Sequence, residues 1–85
     1  MVQVVLTSIL AEQAHGQKRF DVEAETVGDA VRALPIADLL LDERGELRPL
    51  AWVYVDATDA RARGGLACPL TGAHEIRIVG AVAGG

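Results

Sequence analysis

The residues best placed to do chemistry lie at the end of the chain, in Ile76-Arg77-Ile78-Val79-Gly80-Ala81-Val82-Ala83-Gly84-Gly85. The stretch begins as a strand, with Ile76 and Ile78 alternating against Arg77. It then sheds bulk and polarity and stops at two glycines. Without Cβ atoms, Gly84 and Gly85 let groups of another protein approach the terminal carboxylate from every side. A carboxylate is a poor electrophile until one oxygen becomes a good leaving group. The fitting chemistry is therefore activation of the Gly85 carboxylate by a partner, followed by transfer. Gly80, Ala81, Val82, Ala83, Gly84 and Gly85 are narrow enough to thread into a walled channel. We expect residues 80–85 to form a flexible tail on a domain spanning residues 1–79.

Other reactive side chains are less well placed. Cys68 stands in Ala67-Cys68-Pro69-Leu70 with no basic neighbour to activate its thiol, and reads as a packed cysteine. His15 and His74 lie in separate loops without a Cys or carboxylate at ligand spacing, so no metal site is expected. Asp21, Glu23 and Glu25 alternate as the wet face of a strand. Gly64-Gly65 repeats the terminal pair but has no free carboxylate, and reads as a turn.

Leu50, Trp52 and Tyr54 form a different kind of candidate. In Leu50-Ala51-Trp52-Val53-Tyr54-Val55, period-two alternation puts Ala51, Val53 and Val55 on one face and the three bulky residues on the other. If the small set faces the core, the bulky set lies on an uncovered sheet face, where Trp and Tyr are typical partner anchors. We expect Leu50, Trp52 and Tyr54, with Arg77 and Val79 beside them, to bind partner proteins.

These groups must be positioned by a small domain. Eighty-five residues, 51% of them apolar, suffice for one core and leave no room for a second. Twelve acidic residues against eight basic ones give a net charge of -4, with no basic stripe; neither nucleic acid nor membrane is expected as a partner. The single cysteine excludes an intrachain disulfide and fits a reducing compartment. No basic segment precedes the first apolar run, which Gln3, Thr7 and Ser8 interrupt. A signal peptide or membrane span is not expected, and the cytoplasm is the expected location.

Val2 to Leu10 reads as a first strand with Val2, Val4 and Leu6 inward, Ala11 to Gln17 as a loop, and Lys18 to Glu25 as a second strand pairing with the first. Thr26 stands three residues before Asp29, which approximates a capping box. Val27, Ala30, Val31 and Leu34 follow at helical spacing until Pro35. Ile36 to Leu41 is a further helical turn or a packed loop. After the strand at Leu50 to Val55, Asp56 to Asp59 turns the chain and a short edge strand is expected to follow through Arg61. Leu66, Pro69 and Leu70 form a buried connection to the last strand. A mixed sheet packed on one helix, with first and last strands parallel and adjacent in the middle, meets this order in the fewest moves. That is an α+β fold, the ubiquitin-like β-grasp. Val4, Leu6, Val31, Leu34, Val53, Val55, Ile76 and Ile78 are expected in its core.

Val53-Tyr54-Val55-Asp56, Asp59-Ala60-Arg61, Gly64-Gly65-Leu66 and the terminal Val-Ala-Gly-Gly together resemble the ubiquitin-like sulfur carriers of the MoaD/ThiS family. Gln17-Lys18, the Thr26–Leu34 helix and the stretch around Gly64-Gly65-Leu66-Ala67 look like the type serving cysteine biosynthesis in actinobacteria. Two positions depart from the family pattern: Gly80, where Pro is frequent, and Trp52, where the cysteine-biosynthesis type commonly has a small polar residue. The resemblance implies that an ATP-dependent enzyme of the ubiquitin-activating type adenylates Gly85 and a sulfur donor converts it to a thiocarboxylate. It further implies that an acceptor enzyme takes the sulfur: a cysteine synthase, a natural-product sulfur-inserting enzyme, or the molybdopterin synthase large subunit. On this account the chain is a protein cosubstrate and not an enzyme. It has no catalytic residues and no bound cofactor, and ATP belongs to the partner. A ubiquitin-like modifier forming isopeptide bonds through Gly85 is the alternative.

Overall fold

The computed structural model describes residues 1–49, 51–71 and 75–80. Five strands and three short helices follow in the order β1 (Val2–Leu6), α1 (Ser8–Gln13), β2 (Arg19–Val22), α2 (Val27–Arg32), α3 (Ala37–Leu40), β3 (Ala51–Val55), β4 (Thr58–Asp59) and β5 (Glu75–Gly80), with 3-10 turns at Ala60–Arg63 and Gly65–Ala67. The strands form one sheet in the order β2-β1-β5-β3-β4. β1 and β5 run parallel at its centre, Val4 opposite Ile76 and Leu6 opposite Ile78; the other pairs are antiparallel. The expected β-grasp arrangement is present.

Alternation decides which face is covered. Val2, Val4 and Leu6 on β1, Ile76 and Ile78 on β5, and Ala51, Val53 and Val55 on β3 are all buried, against Val27, Ala30, Val31, Leu34 and Leu40 from the helical layer. Every residue expected in the core lies there, and Cys68 is fully buried among them. No described polar or charged residue is buried.

α2 starts as its capping pattern predicts. The Thr26 hydroxyl accepts the Asp29 backbone N–H at 3.2 Å, and the Arg32 guanidinium reaches the Asp29 carboxylate at 3.3 Å. Arg32, helped by the Thr26 hydroxyl, holds the Asp29 carboxyl below the usual carboxylate range. Gly28 has a packing role: a Cβ there would stand 3.1 Å from the Leu66 carbonyl oxygen. Its absence lets the helix start close on the connection at Leu66–Leu70. Val27 N–H donates to Cys68 O there, and Leu70 N–H to Glu25 O. Gly64 and Gly65, with φ of 103° and 62°, make the expected turn, in a region open to glycine at little cost.

Three elements differ from expectation. The first strand ends at Leu6, not Leu10, and α1 takes up both the expected strand end from Ser8 and the start of the loop expected from Ala11. The apolar residues Leu10, Ala11 and Ala14 recur at helical spacing and are buried, and this packing outweighs the β-branched character of the preceding run. The second strand is confined to Arg19–Val22, although Lys18 O still accepts the Leu6 N–H at 2.8 Å. The short edge strand expected through Arg61 is instead Thr58–Asp59, inside the expected turn, and Ala60–Arg63 is a 3-10 turn. The segment after Pro35 takes one of its two expected forms, a helical turn over Ala37–Leu40, with Leu40 buried and Leu39 half exposed.

Candidate partner face and tail root

The face of the sheet opposite the helices carries the bulky residues of β3. Trp52 and Tyr54 are half-buried, and their register partners on β5 are Val79 and Arg77. Val79 is half-buried and Arg77 exposed, its guanidinium 3.2 Å from the Glu75 carboxylate. The structure therefore brings four of the five expected partner residues together, and Leu50 lies outside the described residues. Tyr54, Ala57, Glu75 and Arg77 line an open cleft of about 320 Å³ at the end of this face remote from Gly80.

The face extends further than expected. Arg77 is also opposite Val5 on β1, and Val5 opposite Arg19 on β2, so one row crosses the sheet from Arg19 through Val5 and Arg77 to Tyr54. Val5 is half-buried and Arg19 exposed. Both were findable: Val5 alternates against the inward Val4 and Leu6, and Arg19 against Phe20. What the sequence conceals is that β1 and β5 are neighbours, which is a property of topology. The row puts apolar area between two arginines, on a chain whose net charge is -4. Glu75 offsets Arg77, and Asp21 and Glu75 flank Gln3 in the next row, so the apolar centre is bordered by charges of both signs.

Gly80, expected as the first residue of the tail, is the last residue of β5 and is paired with Ala51. Its strand position is compatible with glycine because Leu10 of α1 occupies the space a side chain would need. On the other flank, the Arg61 guanidinium donates to the Ala51 carbonyl at 2.8 Å and to the Arg48 carbonyl at 3.0 Å. β4 is only two residues long and pairs with Tyr54 and Val55, so Arg61 takes over carbonyls beyond its reach. Ala81, Val82, Ala83, Gly84 and Gly85 lie outside the described residues, as does His74. His15 is exposed, and among the described residues no group of three or more His, Cys, Asp and Glu could hold a metal ion. No helix among the described residues is long and apolar enough to cross a membrane.

No protein-family model matches the chain. It is 32% identical to the sulfur carrier protein CysO of Mycobacterium tuberculosis over 91 residues, 99% of this chain and 98% of that one. The crystal structure of M. tuberculosis CysO superposes with a TM-score of 0.84 at 29% identity, covering 96% of this chain and 100% of the other. A chain of the Amycolatopsis orientalis BexX/CysO complex superposes with a TM-score of 0.79 at 29% identity, both chains covered in full. The small archaeal modifier protein 1 of Methanosarcina acetivorans gives a TM-score of 0.79 at 26% identity, covering 99% of this chain and 95% of that one.

Proposed function

The chain belongs to the family of the sulfur carrier protein CysO, and from that premise we propose that it carries sulfur as a thiocarboxylate on Gly85, for cysteine or a sulfur-containing natural product. The observation that carries this reading is the likeness to CysO over essentially the whole chain. In the proposed cycle a Gly85 carboxylate oxygen attacks the α-phosphorus of ATP within an activating enzyme, and pyrophosphate leaves. Hydrosulfide then adds to the acyl carbon of the adenylate, the bond to AMP breaks, and a thiocarboxylate remains. Its sulfur is a soft nucleophile that an acceptor enzyme directs onto its own substrate.

The chain's own share in this cycle is binding and delivery. Trp52, Tyr54, Arg77 and Val79, together with Leu50, dock the activating enzyme and at least one acceptor. Ala81 to Gly85 carry the carboxylate into the partner's channel, where backbone amides and carbonyls can pair with its walls. The base and the oxyanion donors belong to the partner, so the chain acts as a cosubstrate. The occurrence of a structural relative in a BexX/CysO complex supports delivery by protein docking.

The likeness to a small archaeal modifier protein favours a second reading, in which a lysine amine attacks the same adenylate and an isopeptide forms. One experiment separates the two. The chain is incubated with its activating enzyme, ATP and sulfide and weighed intact. A carrier gains the mass difference of one sulfur exchanged for one oxygen, and loses that gain when Gly85 is deleted or one residue is appended after it. If the extended chain loads as well as wild type, or wild type never loads, the carrier reading fails. Heavier lysine conjugates in place of loading support the modifier.

A further inference from the structure

The contact between Gly80 and Leu10 lies where β5 hands over to residues 81–85. A Cβ built on Gly80 would stand 3.2 Å from Leu10 Cδ2, 3.5 Å from Cδ1 and 3.6 Å from Cγ. The shortest of these is too close for comfort, so the leucine would have to move. It has little room: Leu10 is 4% exposed and packed within the core. The framework around the contact is also held. Leu6, just before α1, pairs with Ile78, and Ala51, opposite Gly80, has its carbonyl bound by Arg61. Gly80 therefore rests against a buried side chain on one element while its strand partner is anchored on another.

We propose that Leu10 is a positioning residue for the terminal chemistry: it seats Gly80 and so fixes the point from which residues 81–85 reach into the activating enzyme. This inference rests on the carrier reading of Gly85. A fixed root matters because the reach is short; five residues span at most roughly 18 Å even when fully extended. Drawn out in a partner's channel, the tail has little slack, so a shift at the root then passes to the carboxylate, and misplacement by about 1 Å can cost a reaction two orders of magnitude. Docking is a separate matter, because the open face of the sheet lies on the strands and not on α1.

The test is steady-state sulfur loading of the full chain by its activating enzyme with ATP and sulfide, read by intact mass at a temperature where circular dichroism shows every variant folded. Gly80→Val is expected to lower kcat roughly ten-fold or more while KM for the carrier stays within about two-fold, since the docking face is untouched. Combining Gly80→Val with Leu10→Ala, which vacates the space the valine needs, is expected to restore most of kcat. Should that double variant not fold, Gly80→Ala with and without Leu10→Val makes the same comparison with smaller volumes. Wild-type kcat in the Gly80 variants, or a defect that the Leu10 change fails to relieve, overturns the positioning role while leaving the carrier reading intact. A wild-type chain that never loads overturns the carrier reading, and the positioning role with it.

Discussion

Asp56 and Ala57 connect β3 to β4 with φ values of 46° and 73°, both in the left-handed region. Two-residue hairpin turns want such angles because they match the twist of the flanking strands, and Asp-Gly or Asn-Gly is the usual solution. Asp56 suits its place: its carboxylate accepts the Glu75 N–H at 3.0 Å and its own N–H donates to Glu75 O. Ala57 does not, because its Cβ crowds the backbone at positive φ. Ala57→Gly is expected to stabilise the fold by about 0.5–1 kcal/mol, the strain relief exceeding the entropy glycine adds to the unfolded chain. A urea titration showing no shift, or a loss, would contradict this. A turn starting at Asp56 was legible, but its extent was not: Thr58 and Asp59, expected in the turn, form β4, and nothing in Asp-Ala announces left-handed angles. The Gly80–Leu10 contact was illegible for another reason. It joins residues far apart in the chain, one of them on a helix that the run from Val2 to Leu10 disguised as strand.

Among the elements, β3 was the most legible and α1 the least, and the contrast has a physical cause. In β3 the alternation separates small residues from large aromatic ones, so either phase makes a definite statement about burial. Ala51, Val53 and Val55 are buried, and Trp52 and Tyr54 are on the open face, as the inward phase requires. In α1 the helical signal rests on Leu10 and Ala11, with Ala14 just past its end, and β-branched neighbours upstream overwrite it. The open face supports a prediction at this scale. Trp52→Ala should weaken binding to the activating enzyme by roughly 2 kcal/mol or more, the scale of an aromatic anchor, with the fold nearly unchanged. Calorimetry giving equal affinities for variant and wild type would remove Trp52 from the docking face. Where Gly85 is concerned, the sequence supplied a chemical argument and the comparisons a family; residues 81–85 themselves lie outside the described structure.

For the whole molecule, one sheet face holds the core together and β5 runs through its middle. Ile78 is fully buried there, opposite both Leu6 on β1 and Val53 on β3. Ile78→Ala should therefore cost about 2–4 kcal/mol, a large share of the margin available to so small a domain. Urea denaturation that places the loss well under 1 kcal/mol would mean the core can collapse around the gap. The central place of β5 also bears on how the protein is made. Strands leave the ribosome in sequence order, and β5 is the last of the described strands. Until it emerges, β1 with β2 and β3 with β4 are two hairpins with nothing between them. Completion of the sheet therefore waits for the segment that leads directly into Gly85. In a newly made chain, the completed sheet shows that synthesis has passed through β5, and a chain arrested before it holds only two separate hairpins.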